Sequence, residues 1–213
     1  MSGERSLSPL NHPIVEQSFA VIDREIGPHS FDPAEYAIAR RVIHSTADFE
    51  FKDLLRFGEG AIAGAIAALQ RQSPIVVDVS MVHQGIATMV AKTFCNPIVT
   101  AVEAADAALP GKTRTETGIL RCYEQYPDAI YAIGNAPTAL LALCHATQTA
   151  KTQPALVIGA PVGFISVLES KAALASTTLP QIRVEGRKGG SAVAAAIVNA
   201  LLVLAWEDAH RLA

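Results

Sequence analysis

The residues around His44 include most of the side-chain types that proton transfer uses. Segment 41–51 contains, besides the histidine, an arginine, two hydroxyls and an acid pair. Asp32, Pro33 and Glu35 have the spacing of a capping box with proline at the first helical position. They predict a helix that starts at Pro33 and carries His44 near its C-terminal end. The last carbonyls of a helix carry partial negative charge, so we expect them to raise the pKa of the imidazole and make it a proton donor near neutral pH. On these residues alone, a helix-capping role for His44 stays equally open.

Composition predicts one domain over residues 1–213, with residues 1–10 as a disordered leader. Half of the 213 residues are hydrophobic and 17% are charged, a profile typical of Ala/Val/Ile-rich α/β proteins. A net charge of −3 argues against nucleic-acid binding by bulk electrostatics. Three scattered cysteines without a CxxC pair fit a reducing cytoplasm, and the polar N-terminus lacks the apolar core of a signal peptide. The apolar stretch 192–206 is short for a membrane span, so we expect a buried helix.

Five short β-branched runs alternate with helix-compatible stretches in the second part of the chain. They are residues 75–79, 98–100, 129–133, 155–158 and 182–184. Runs that are apolar on both faces and alternate with helices predict βα units. The expected fold is therefore α/β, with a single doubly wound, mostly parallel sheet and helices on both faces. Extra helices are expected at the N-terminus, the first of them opened by Pro13.

Ligands of such sheets bind at the carboxyl ends of the strands, where this chain has glycine-rich turns. These turns are residues 134–138, 159–164 and 186–191. Glycine lets backbone amides approach an anion, so we expect Asn135, Gly159 and Gly163 to contact a ligand, partly through backbone amides of the first turn. Arg187 and Lys188 lie between glycines and are suited to clamp a ligand carboxylate. Ordinary capped turns and a solvated pair of cations are the alternatives.

Arg114 lies in the polar segment 111–118, which we expect to be a mobile loop that folds over a ligand. A merely solvated arginine is the alternative. No segment matches the Walker A pattern, GxGxxG or GxSxG, and no histidines and carboxylates have the spacing of a metal site. We therefore expect no metal. His83 and His145 are weaker candidates, and a core or interface position is expected for His145.

Five segments, taken together and in this order, resemble the precorrin-8X methylmutase family of cobalamin biosynthesis. They are residues 41–51, 113–114, 132–140, 158–164 with 169–171, and 186–191. The resemblance runs from about Ser18 to about Leu201. It implies a flavodoxin-like α/β homodimer that needs no added cofactor. It also implies an isomerase that moves a methyl group from C-11 to C-12 of precorrin-8X to give hydrogenobyrinate, or of the cobalt-containing form to give cobyrinate.

The resemblance assigns roles to some of these residues. By family match, His44 protonates a ring nitrogen of the macrocycle, Ser18 and Arg41 bind substrate beside it, and Arg114 contacts a side-arm carboxylate. Protonating a ring nitrogen draws electron density from the migration terminus and lowers the barrier, so one positioned acid suffices. Arg187 and Lys188 extend this set on chemical grounds. Residues 45–48 are more similar to the cobalt-branch members, which predicts a cobalt-containing substrate.

Two other classes of function stay open. A non-catalytic carrier could bind the corrinoid product in the same pocket and hand it to the next pathway enzyme. A nucleotide- or phosphate-binding enzyme would rest on the glycine-rich turns alone. For the leading hypothesis we expect a cytoplasmic homodimer whose partners are the corrinoid substrate and product and the next enzyme, without nucleic acid or membrane.

Overall fold

Two capped helices begin the part of the chain, residues 10–211, that this computed structural model describes. The expected leader, residues 1–10, lies outside the described residues except for Leu10. Helix α1 spans Pro13–Glu25 and helix α2 spans Pro33–Thr46. The Asp32 carboxylate accepts hydrogen bonds from the backbone N–H groups of Ala34 and Glu35, and the Glu35 carboxylate accepts one from the Asp32 N–H. The predicted capping box and its helix are confirmed.

A six-stranded sheet follows, in the order β1-β6-β5-β4-β2-β3. Its strands are β1 Leu55–Phe57, β2 Ile75–Val77, β3 Ile98–Thr100, β4 Ile130–Ile133, β5 Leu156–Gly159 and β6 Gln181–Val184. The pairing of β1 with β6 is antiparallel, and the other four pairings are parallel. All five predicted runs form strands, whereas β1 was missed. Three residues directly after a helical turn are too few to show a strand pattern, and β1 exists because Leu55 pairs with Val184.

Helices pack on both faces of this sheet. They are α3 Phe51–Leu54, α4 Ala61–Gln70, α5 Ser80–Lys92, α6 Arg114–Gln125, α7 Pro137–Thr147, α8 Val167–Ala175 and α9 Ser191–Arg211, with a 3₁₀ turn at Ala101–Glu103. Side chains alternate along a strand, so Ile75 and Val77 join one hydrophobic cluster and Val76 joins the other. The first cluster includes α1, α2, α4, α5 and α9, and the second includes α6, α7 and α8.

Helix α9 is the central helix of the first cluster. Eleven of its 21 residues are buried, among them Val193, Ile197 and Leu201. It is long and apolar enough to cross a membrane by length and composition alone. A mostly buried core helix passes the same test, so we interpret α9 as a core helix.

Candidate active site

Helices α1 and α2 hold the imidazole of His44 between them. Oγ of Ser18 lies 2.8 Å from Nδ1 of His44. The ring of Phe19, the next residue of α1, meets the imidazole edge-on at 5.5 Å between centroids. Two neighbouring side chains therefore fix the ring position and engage Nδ1. Nε2 makes no hydrogen bond to residues 10–211 and is the nitrogen left for a ligand.

The predicted direction of the His44 pKa is wrong. Burial lowers the pKa of the imidazole, and the cation of Arg41 lowers it further. Two carbonyls near the end of α2 already accept hydrogen bonds from their own chain. Oγ of Ser45 and Oγ1 of Thr46 both donate to the Val42 carbonyl, and the N–H of Ala47, in a left-handed conformation, closes the helix on the Ile43 carbonyl.

Arg41 lies one turn before His44 on the same helix. Its Nη2 donates to Oδ1 of Asn11 at 2.7 Å, and its guanidinium lies 5.5 Å from the Phe19 ring centroid. Burial lowers the pKa of Arg41, while the carboxylate of Glu16 raises it. The structure thus brings Ser18, Arg41 and His44 together, and burial, followed by the cation of Arg41, lowers the pKa of the imidazole.

A second group connects the turn after β6 with the segment that follows His44. The ammonium of Lys188 donates to Oδ2 of Asp48 at 2.6 Å and to Oε2 of Glu50 at 2.7 Å. These bonds raise the pKa of Lys188, and the bond to Lys188 lowers the pKa of Asp48. Lys188 is therefore not a free clamp, because two carboxylates of its own chain occupy it. Arg187 is exposed and makes no side-chain hydrogen bond or ion pair within residues 10–211.

The turn that carries these cations is packed against the turn after β5. The N–H of Gly190 donates to the Ala160 carbonyl at 2.8 Å, and the N–H of Gly163 donates to the Arg187 carbonyl at 3.4 Å. A Cβ on Gly189, whose φ is +155°, would overlap the Ala160 carbonyl oxygen. Glycine is required there by a close backbone approach, and Gly163 is hydrogen-bonded to the turn that carries Arg187.

Lys171 is a buried lysine of α8 to which sequence reasoning gave no role. Its ammonium donates to the carbonyls of Gly186 and Lys188, at 2.8 and 2.7 Å. Burial lowers the pKa of this ammonium to about 8, with a partial offset from Glu185. Lys171 thus holds the turn after β6 from beneath. The one sequence feature that pointed to Lys171 was its place in segment 169–171, which resembles the family.

Asp78 is a second residue that sequence reasoning missed. It follows β2 and is fully buried, and its carboxylate accepts hydrogen bonds from the N–H groups of Gly134, Asn135 and Ala136 at 3.1, 2.6 and 2.8 Å. Burial raises the pKa of this carboxyl, and the three bonds oppose that rise. The expectation that these amides bind a ligand is corrected, because Asp78 occupies them. An acid directly after a buried strand was the available signal.

Arg114 starts a helix and does not lie within a mobile loop as expected. Thr113 caps α6 by accepting from the Glu116 N–H at 3.1 Å, which makes Arg114 the first helical residue. Nε of Arg114 donates to the Ala105 carbonyl at 2.8 Å. Oγ1 of Thr113 lies 3.1 Å from Oγ1 of Thr138, which brings the start of α6 beside the start of α7.

The other predicted residues lie in different surroundings. Asn135 is exposed in the turn before α7, near Thr138. Gly159 is the last residue of β5 and is buried, with no room for a Cβ beneath Leu174. A cavity of about 440 Å³, lined by residues such as His29, Lys52 and Arg56, contains none of the nine predicted site residues. Within residues 10–211, no three histidine, cysteine or acidic side chains form a metal-binding group.

Comparison with known proteins identifies the relatives of this chain. The family description "Precorrin-8X methylmutase" matches residues 13–204. A cobalt-precorrin-8 methylmutase of Synechocystis sp. is 60% identical over 94% of this chain and 99% of its own. A precorrin-8X methylmutase of Pseudomonas aeruginosa is 38% identical over 88% of this chain and 93% of its own. The crystal structure of precorrin-8X methylmutase from Thermus thermophilus superposes with a TM-score of 0.86, at 42% identity, over 92% of this chain and 96% of that one.

The mixed α/β fold and the oriented imidazole at its surface define the class of protein. It is an α/β enzyme with a candidate general acid. The chain belongs to the precorrin-8X methylmutase family, and its activity is that of a methylmutase, an isomerase of cobalamin biosynthesis. The carrier alternative is not favoured, since these relatives are named as methylmutases.

Proposed function

We propose that the protein moves the methyl group of precorrin-8X or cobalt-precorrin-8 from C-11 to C-12, with His44 as the general acid. The observation that carries the proposal is the 2.8 Å contact between Ser18 and Nδ1 of His44. It orients the ring and leaves Nε2 to protonate a ring nitrogen of the macrocycle. A single positioned acid typically contributes about two to four orders of magnitude in rate. Holding the macrocycle in the reactive shape supplies the rest.

The substrate itself provides a way to protonate His44. Burial and Arg41 lower the pKa of the free imidazole. The substrate carries acetate and propionate arms, and a carboxylate paired with Arg41 would offset the cation that disfavours imidazolium. Binding of the anionic substrate therefore favours the acid form of His44 at the moment when it is needed.

The proposed binding residues divide into three parts. Ser18 and Arg41 adjoin His44, Arg187 and Gly163 belong to the joined turns after β6 and β5, and Arg114 and Asn135 lie at the starts of α6 and α7. Arg187 and Arg114 present guanidinium groups suited to the carboxylate arms. Lys188 and Gly159 were also predicted to bind substrate. The Asp48 and Glu50 pairs of Lys188 and the burial of Gly159 support indirect roles for these two.

We also propose a flavodoxin-like, doubly wound single domain that works as a cytoplasmic homodimer. The parallel strands follow the order β3-β2-β4-β5-β6, which matches the flavodoxin-like order 2-1-3-4-5 when they are counted along the chain. Phe164 and Ile165 are 87% and 82% exposed, and adjacent apolar side chains of this size are typical of a covered surface. Hand-off of the product to the next enzyme remains part of the proposal.

The cobalt form is the proposed natural substrate. The 60% identical relative is named for cobalt-precorrin-8, in line with the similarity of residues 45–48 to that branch. The test compares turnover of metal-free and cobalt-containing substrate by their absorbance spectra. Faster conversion of the cobalt form supports the proposal, and equal rates contradict the preference. Binding of both substrate forms without conversion would contradict the isomerase activity and favour the carrier alternative.

A further inference from the structure

Lys188 connects two parts of the chain that are 140 residues apart in sequence. Its ammonium lies 2.6 Å from Oδ2 of Asp48 and 2.7 Å from Oε2 of Glu50. The second carboxylate oxygen of Asp48, Oδ1, accepts from the Glu50 N–H at 2.9 Å. One lysine therefore fixes both acids and the short turn between them.

That short turn directly follows the helix that carries His44. Helix α2 ends at Thr46, and Ala47 closes it in a left-handed conformation with φ of 53°. The Asp48 N–H donates to Oγ1 of Thr46 at 3.3 Å, so the turn and the last helical residues are bonded to each other. The turn that contains Asp48 and Glu50 is thus bonded to the end of α2, near His44.

The other side of the connection is anchored in the core. Lys171 is buried and donates to the carbonyls of Gly186 and Lys188, so the backbone that carries the Lys188 side chain is held from within. Gly190 is bonded to the Ala160 carbonyl, which joins the same turn to the end of β5. The anchor is therefore more rigid than the exposed ion pair at its tip.

We propose that Lys188 is a positioning residue that sets the place of His44 by holding Asp48 and Glu50. This inference rests on the proposed function for its effect on turnover. Ser18 and Phe19 fix the ring of His44 from α1, and Lys188 fixes the end of its helix from the sheet. Lys188 acts on the reaction through this connection and does not bind a substrate carboxylate.

The ion pairs of Lys188 argue for a positioning role and against direct binding of a substrate carboxylate. Two acids at hydrogen-bond distance already satisfy the ammonium of Lys188, and a substrate carboxylate would have to displace one of them. Arg187, the preceding residue, has no such partner within residues 10–211 and is the cation available to the ligand. Removing Lys188 should therefore change catalysis more than affinity.

The test uses Lys188→Gln in the full-length protein, with Lys92→Gln as a control that removes an exposed lysine from the end of α5. Lys188→Gln should lower kcat roughly tenfold, because misplacement of a catalytic group by a fraction of an ångström is costly. The dissociation constant of the corrinoid should stay within about twofold of the wild-type value, because Lys188 does not itself bind the corrinoid. Lys188→Arg should restore most of kcat, since a guanidinium can bond both acids. Asp48→Asn combined with Glu50→Gln should reproduce the loss from the other side.

A measurement without substrate keeps the inference separate from the proposed function. In protein with ¹⁵N-labelled histidine, the ring signals of His44 are identified by their loss in His44→Ala. They should shift or broaden in Lys188→Gln and stay in place in Lys92→Gln. Unchanged His44 signals in Lys188→Gln would overturn the inference whether or not the wild type turns over. A weakened corrinoid affinity with unchanged kcat would overturn it in favour of a clamp.

Discussion

Oγ of Ser18 lies 2.8 Å from Nδ1 of His44, although 26 positions separate the two residues in the sequence. The contact joins the α1 and α2 helices at the candidate acid. Because Nδ1 is engaged, the opposite nitrogen is the one that can meet a ligand. The tautomer and the orientation of the imidazole therefore depend on a residue of another helix.

Replacing Ser18 with alanine should impair the acid without removing it. Ser18→Ala leaves the ring without its hydrogen-bond partner, so we expect kcat to fall about ten- to a hundredfold, within the range of general acid catalysis. Initial rates followed by absorbance measure this effect. Ser45→Ala is the matched control, because it removes a hydroxyl next to His44 whose one hydrogen-bond partner among residues 10–211 is the Val42 carbonyl. Equal rates in both variants would show that Ser18 does not orient His44.

The pKa of His44 should rise when Arg41 loses its charge. Burial and the Arg41 cation both lower this pKa. A nearby cation disfavours imidazolium, so Arg41→Gln should let His44 keep its proton to a higher pH than in the wild type. An NMR titration of the ligand-free protein checks the direction. A His44 pKa that stays unchanged or falls in Arg41→Gln would contradict the electrostatic origin of the shift.

Asp78 should matter for stability more than any exposed acid. Its carboxylate accepts three backbone N–H bonds at the start of α7 while fully buried. In Asp78→Asn the amide can turn only one oxygen toward these donors, so we expect a loss of about 2–4 kcal/mol in the free energy of unfolding. Urea unfolding measures it, with Asp106→Asn as an exposed control. A loss in Asp78→Asn no larger than in the control would contradict a stabilising role of these three hydrogen bonds.

The sequence predicted the local structure well, because local signals encode it. Asp32, Pro33 and Glu35 specify the start of α2 by their own side chains and backbone, and short β-branched runs specify buried strands. Strand β1 was missed since only its partner, β6, makes it a strand. Local patterns identify elements that form by their own residues, and tertiary pairing decides the rest.

The candidate site was likewise predictable where local residues determine it and unpredictable where tertiary contacts do. The residue types around His44 indicated an acid or a helix cap, and the resemblance indicated His44 as the acid, with Ser18 and Arg41 beside it. The pKa direction of His44 depends on burial and on Arg41, which the position of His44 on its helix does not reveal. Likewise, Asp78 occupies the backbone amides of the glycine-rich turn that we expected to bind a ligand. Sequence reasoning missed this contact because the two segments are far apart in the sequence.

The joined turns after β5 and β6 should be intolerant of a side chain at Gly189. A Cβ there would overlap the Ala160 carbonyl oxygen, at a φ of +155° that favours glycine. Gly189→Ala should therefore lower the melting temperature more than Gly27→Ala, which has a φ of +68° and open space around it. Calorimetry on both variants provides the comparison. Equal shifts would mean that the two turns are not in close contact.

The role of His44 is tested most directly by mixing the corrinoid substrate with wild type and with His44→Ala, and recording absorbance spectra. A methyl shift changes the conjugation of the macrocycle, so turnover appears as a change of colour. The wild type should convert the substrate, while His44→Ala should bind it and convert it at least about a hundredfold more slowly. Conversion by His44→Ala at the wild-type rate would contradict the assignment of His44 as the acid.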